Sequence, residues 1–209
     1  MSSLSVAPIV EGYGEVVAIR KMLERIWREL LGYDYIEILK PIRQPRHKLL
    51  RRIQGALAPD AEGLEKAVRF ARHKLNQSTQ PDARKLILVL LDSDQDCPAE
   101  ASPKIKETIA TSTGIESTAV ILAKIEFESW FVASCESLSQ YLDCSNAGGA
   151  DDPEGNGMGK GWIQSRFKGG KYSETVDQVR LTAAMDLAVC RERCPSFDKL
   201  CRELETAAR

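Results

Sequence analysis

Apolar positions along this chain alternate between two periods, and the switches between them mark its elements. Ser5 to Val10 is a short apolar run that reads as a first strand, in which Pro8 belongs at an edge or an irregularity. Glu11-Gly12-Tyr13-Gly14-Glu15 follows, with two glycines permitting a tight turn. From Glu15 the apolar residues Val16, Ile19, Leu23, Ile26 and Leu30 recur at three- and four-residue spacing and predict a helix. Ile36 to Leu39 predicts a second strand ended by Pro41, and Leu64, Val68, Ala71 and Leu75 predict a helix over Gly63 to Asn76. Leu86 to Leu91 is an unbroken apolar run, expected of a strand buried on both faces. Ser102-Pro103 reads as a helix start, Ser as N-cap and Pro at the first helical position, with an end near Gly114. Thr118 to Ala123 predicts a fourth strand, and a helix begins within Lys124 to Phe131.

The resulting β-α-β-α-β-α-β-α order predicts an α/β fold with a mostly parallel sheet, right-handed crossovers and helices on both faces. Downstream, Thr175 and Gln178 have capping-box spacing, and Ser196 is placed to cap a last helix through Leu204. The organisation expected is an α/β core over residues 1–135. Residues 136–209 then form a glycine-rich loop and a helical C-terminal appendage packed on that core. The loop, Ser145 to Gly170, holds Gly148, Gly149, Gly155, Gly157, Gly159, Gly161, Gly169 and Gly170, and loops this long are usually functional or disordered. No Gly-Lys-Ser/Thr follows a strand, so it is not a phosphate-binding P-loop.

Charge changes the picture at the strand ends. The third strand runs directly into Asp92, Asp94 and Asp96. Alternate side chains of extended backbone point the same way, so these carboxylates can converge where open parallel sheets bind ligands. Like charges this close repel by roughly 4 kcal/mol per pair at an intermediate dielectric, which a cation would relieve. Oxygen-only donors favour Mg²⁺, Mn²⁺ or Ca²⁺ over zinc. The first strand ends in Glu11 and Glu15, and the fourth in Lys124, Glu126 and Glu128, which a parallel sheet sets on the same rim. Several carboxylates with a lysine are the material of metal-dependent phosphoryl transfer. Asp92, Asp94 and Glu11 are the first candidates to hold metal, with Glu11 also a candidate to take a proton from water. Asp96, Glu15, Glu126 and Glu128 are further candidates, the last three for a second ion, and Lys124 is the candidate to stabilise phosphate charge. Glu15 has a second reading as a first-turn glutamate favoured by the helix dipole. Trp130 and Phe131 read as core residues.

Composition narrows the class. The chain has 209 residues, 43% hydrophobic and 28% charged, with a formal net charge of -1. That is an ordinary globular balance with no global basic field, so any nucleic-acid site must be a local patch. The run Arg43 to Arg52 supplies one, through Arg43, Arg46, Lys48, Arg51 and Arg52; it reads either as a solvated loop and helix face or as the phosphate-gripping side of a groove. Lys160, Arg166, Lys168 and Lys171 are candidates for a second wall. The six cysteines form no Cys-x-x-Cys pair, and with two histidines they give no zinc spacing. Cys190, Cys194 and Cys201 read as small hydrophobes on a helix. No apolar run approaches the length of a membrane span and the N-terminus is unlike a signal peptide, so a cytoplasmic location and no membrane partner are expected.

Taken in order, Glu11-Gly12 after the first strand and Asp92-Ser93-Asp94 after the third resemble the Toprim domain of topoisomerases, bacterial primases and the overcoming-lysogenization-defect nucleases. Glu11-Gly12-Tyr13-Gly14-Glu15 matches the Glu-Gly-x-x-Glu form of the nuclease branch. The whole chain also resembles small stand-alone bacterial Toprim-like proteins of unknown function. The carriers of that resemblance are Glu126-Phe127-Glu128-Ser129-Trp130, Lys171-Tyr172, Val176-Asp177-Gln178 and Pro195-Ser196-Phe197. The resemblance implies a Toprim-like, Rossmann-like fold and a Mg²⁺- or Mn²⁺-dependent nuclease acting on DNA or RNA, by family analogy in phage defence or DNA processing. The chain has no room for a topoisomerase's tyrosine domain and no ATPase part, so a separate ATPase or other protein partner is the implied complement. Two other functions compete. A haloacid-dehalogenase-like phosphatase also uses Asp-x-Asp after a strand, but normally on its first core strand and with no role for Glu11. A non-catalytic Toprim-like binding module would recruit a partner through the glycine-rich loop.

Overall fold

In the computed structural model, which describes residues 3–145, 152–155 and 157–209, the apolar runs become the strands of one parallel sheet. β1 (Leu4–Val10) lies between β2 (Ile36–Ile38) and β6 (Arg84–Asp92), and β7 (Thr118–Ala123) follows β6. Every pairing in this sheet is parallel. The strands alternate as a two-sided sheet must. Val6, Val10, Leu88, Leu90 and Ile121 enter one core, and Ala7, Ile9, Ile87, Val89 and Leu122 enter the other. α2 (Ala61–Asn76) and α3 (Pro98–Thr113) cover the second face. α1 (Tyr13–Arg25) covers the first, joined by the C-terminal helices α6 (Glu174–Ala184), α7 (Leu187–Arg193) and α8 (Pro195–Ala208). The appendage therefore shares a core with the sheet: Trp27 of the first crossover, Trp130, Trp162 and Phe197 belong to one buried cluster.

Pro8 sits in a strand paired on both sides, and the sheet makes room for it. Its side of β1 faces β2 and then β3 (Ile42–Arg43), a short strand that resumes pairing further along. The carbonyls of Val6 and Val10 accept there from Leu39 and Gln44. β2 has ended by Val6 and β3 begins at Ile9, so the missing N–H of Pro8 falls in the break between them.

Several local expectations are corrected. α1 begins at Tyr13, capped by Gly12, so Glu15 lies inside its first turn, and the helix passes into a π-helical turn at Ile26–Leu30. α3 begins at Pro98 rather than Ser102: proline already fills the first position there, and Ser102 is buried inside the helix. Thr175 and Gln178 form no capping box. α6 starts at Glu174, Asp177 accepts from the Ser173 N–H at 2.8 Å, and Gln178 turns inward. α8 starts at Pro195 and runs to Ala208, and Ser196 uses its hydroxyl for tertiary contacts. Beyond Lys48 the basic run is neither loop nor helix: β4 (Leu50–Ile53) and β5 (Ala56–Pro59) form an antiparallel hairpin. Its two-residue turn, Gln54-Gly55, has both φ angles positive, the geometry that matches hairpin twist. Cys135 and Cys144 are joined in a disulfide with Cα atoms 6.0 Å apart. Cys190, Cys194 and Cys201 are buried, as apolar residues would be. Gly148 and Gly149 of the glycine-rich segment lie outside the described residues. Among those described, no helix is long and apolar enough to cross a membrane.

Candidate functional site

Because all strands of the main sheet run parallel, their carboxyl ends share one rim. The register sets Val10 beside Leu90 and Asp92 beside Ala123, so Glu11, Asp92 and Lys124 leave the sheet within about a residue of one another. The loops after β6 and β7 then lock together. Asp94 and Ile125 pair as an isolated bridge, with the Asp94 N–H donating to the Ile125 carbonyl at 2.9 Å. The Ser93 hydroxyl accepts from the Ile125 N–H at 2.9 Å. Asp94 (φ 50°) and Ile125 (φ 64°) are both left-handed. Such backbone costs on the order of 1–3 kcal/mol per residue, most for a β-branched side chain, and holding two of them together marks this crossing as over-determined by its surroundings.

Glu11, Glu15 and Asp92 form the acidic centre. Burial pushes the Glu11 carboxyl above its usual range; Arg46 opposes the shift, while Asp94 and Glu15 add to it. Glu15 is raised first by burial and further by Glu128. Asp92 is raised well above its ordinary value by burial, then by Glu15, Glu128 and Glu11, against one hydrogen bond from the Phe127 N–H at 2.8 Å. Glu11 and Glu15 each keep a buried Oε2 with no hydrogen-bond partner among the described residues. Buried polar atoms are rarely left so. A Cβ on Gly12 would press on the end of the Glu15 side chain.

The remaining carboxylates already have partners. Asp94 and Asp96 pair with Arg46 at 3.2 and 3.1 Å, and Asp96 also with Arg52 at 3.0 Å. Arg46 further donates to the Asp92 carbonyl. Glu126 accepts from the Lys160 N–H at 2.6 Å, at the start of α5 (Lys160–Arg166). Glu128 is buried and accepts from the Tyr172 hydroxyl at 3.0 Å and the Gln178 amide at 2.9 Å. The Lys124 ammonium donates to the Asp96 carbonyl at 3.4 Å. In this arrangement no three or more His, Cys, Asp or Glu side chains among the described residues form a group that could hold a metal ion. The fit to a hard cation rests instead on an all-oxygen donor set and on the two orphaned glutamate oxygens.

The basic side divides. Arg43, Arg46, Arg51 and Arg52 line a cleft of about 480 Å³ that begins at Glu11 and Gly12. Arg51 pairs with Asp60, the N-cap of α2. Lys48 opens on a neighbouring cleft beside Glu62 and Lys66. Lys171 lies elsewhere, with Lys168 and Arg180.

Sequence reasoning missed the roles of Tyr172, Gln178 and Ser196. Tyr172 and Gln178 fix Glu128, and the Ser196 hydroxyl takes the Trp130 indole N–H at 2.8 Å while Phe197 packs edge-on against that ring. These residues lie in the downstream motifs quoted above. Spacing alone could not show that α6 and α8 return to the rim. The family model described as Domain of unknown function (DUF4276) matches residues 10–205. No curated protein and no solved structure matches the chain.

Proposed function

Starting from a chain that belongs to the domain of unknown function family DUF4276, we propose that its rim is the site of a divalent-metal-dependent phosphodiesterase acting on nucleic acid. It would be of the Toprim type that the Glu-Gly and Asp-x-Asp motifs resemble. The observation that carries this reading is the pair of buried, unpartnered Oε2 atoms of Glu11 and Glu15 beside Asp92. Their mutual repulsion leaves a place that a dication would neutralise. Since they form no metal-holding group as arranged, the Glu11, Glu15 and Asp92 side chains would have to draw together to hold Mg²⁺ or Mn²⁺. Such an ion activates water and offsets charge on the phosphodiester. Glu11 would either hold metal or take the proton from attacking water. Arg51 and Arg52 would position the phosphate backbone in the adjoining cleft.

The test is Mn²⁺ binding by calorimetry together with cleavage of single- and double-stranded DNA and RNA in Mg²⁺ and Mn²⁺. Wild type should bind metal and cleave; Asp92→Ala should lose both while still binding nucleic acid. Equal cleavage by the two proteins would remove the rim from the reaction. One observation favours a second reading, a non-catalytic nucleic-acid-binding module: Arg46 and Arg52 already neutralise Asp94 and Asp96. Nucleic-acid binding by wild type with no metal binding would select it.

A further inference from the structure

Tyr13 is a large aromatic residue left 64% exposed at the start of α1, two positions after Glu11. The Arg43 guanidinium carbon stands 3.9 Å from its ring centroid. Arg43 also lines the cleft that begins at Glu11. That cleft combines guanidinium groups with the apolar side chains of Pro45, Leu50 and Leu57, and among the described residues Glu11 is the one carboxylate that lines it. Guanidinium groups suit phosphate; apolar and planar surfaces suit a base. A duplex keeps its bases stacked inside and offers the cleft mainly backbone, whereas an unpaired strand offers a π-face.

We propose that Arg43, backed by the Tyr13 ring, is a stacking platform for an unpaired base, so that the rim's substrate is single-stranded nucleic acid or a frayed end. The proposal rests on the nucleic-acid reading of the site and deepens it. Arginine serves here where lysine would not, because only the planar guanidinium can lie between a ring and a base. Tyr13 and Arg43 are binding residues that set substrate preference and take no part in the chemistry.

The test is equilibrium binding of the full chain, in chelator, to a short labelled single strand of mixed sequence and to the same strand made abasic. Fluorescence anisotropy is the readout. Wild type should prefer the intact strand by roughly tenfold, the range of one base–aromatic stack. Tyr13→Ala and Arg43→Lys should abolish that preference while the abasic strand still binds, and Tyr13→Phe should retain it. Thermal melts of each variant separate loss of stacking from loss of fold. Wild type that binds both strands equally, or Tyr13→Ala that keeps the preference, overturns the platform and leaves the nucleic-acid reading standing. Wild type that binds neither strand overturns both.

Discussion

Asp92 is buried among Glu11, Glu15 and Glu128, three carboxylates that disfavour its ionised form against a single backbone N–H that favours it. An amide of the same shape keeps an acceptor for the Phe127 N–H and removes the repulsion. Asp92→Asn should therefore be neutral or more stable than wild type in chelator. It should also lose the Mg²⁺-dependent rise in melting temperature expected of wild type under the proposed function. Paired thermal melts with and without Mg²⁺ measure both effects, and a destabilised variant in chelator would show that Asp92 holds the loops by its charge. Asp94 stands apart. Its carboxylate is half-exposed and paired with Arg46, so its removal breaks an ion pair rather than relieving a clash.

At the scale of elements, Glu37 shows how a short edge strand is held. Burial favours its neutral form, but the hydroxyls of Ser5, Ser78 and Thr79 and the Thr79 N–H outweigh this and bring its pKa to about 2. The carboxylate thus joins β1, β2 and the turn after α2. A carboxylate depressed in the folded state stabilises it above the unfolded pKa of about 4.3 and loses that contribution as pH falls toward about 2. Glu37→Gln should remove part of the acid-induced loss of stability in that window and be less stable than wild type at neutral pH, as urea melts at stepped pH would show. Glu37 had no signature in the sequence, because its partners come from two distant segments, Ser5 in β1 and Ser78-Thr79 after α2. The four main strands and the charged rim were legible because apolar runs and carboxylates abut in the chain. The β4–β5 hairpin was not, since Arg51 and Arg52 masked the alternation and Gln54-Gly55 is a weaker turn signal than Asn-Gly. The partners of Glu128 were equally hidden, lying more than forty residues downstream.

For the whole molecule, one buried cluster runs from Trp27 through the sheet to Phe197 and Leu204. The C-terminal helices should therefore unfold with the sheet in a single transition. Fluorescence of Trp27, Trp130 and Trp162, all within that cluster, should coincide with loss of helical circular dichroism. Phe197→Ala should lower stability by about 3–5 kcal/mol while keeping one transition. Two separated transitions would make the C-terminal helices an independent unit. The sheet also ends differently from an open ribbon. At one margin all six residues of β7 are buried, with α3 and α8 against the strand. At the other, β2 is three residues long and carries the ionised Glu37. Short, charged or covered margins deny an incoming strand a template. Self-association by sheet extension, the route to domain swapping and fibrils, is thus disfavoured at both sides.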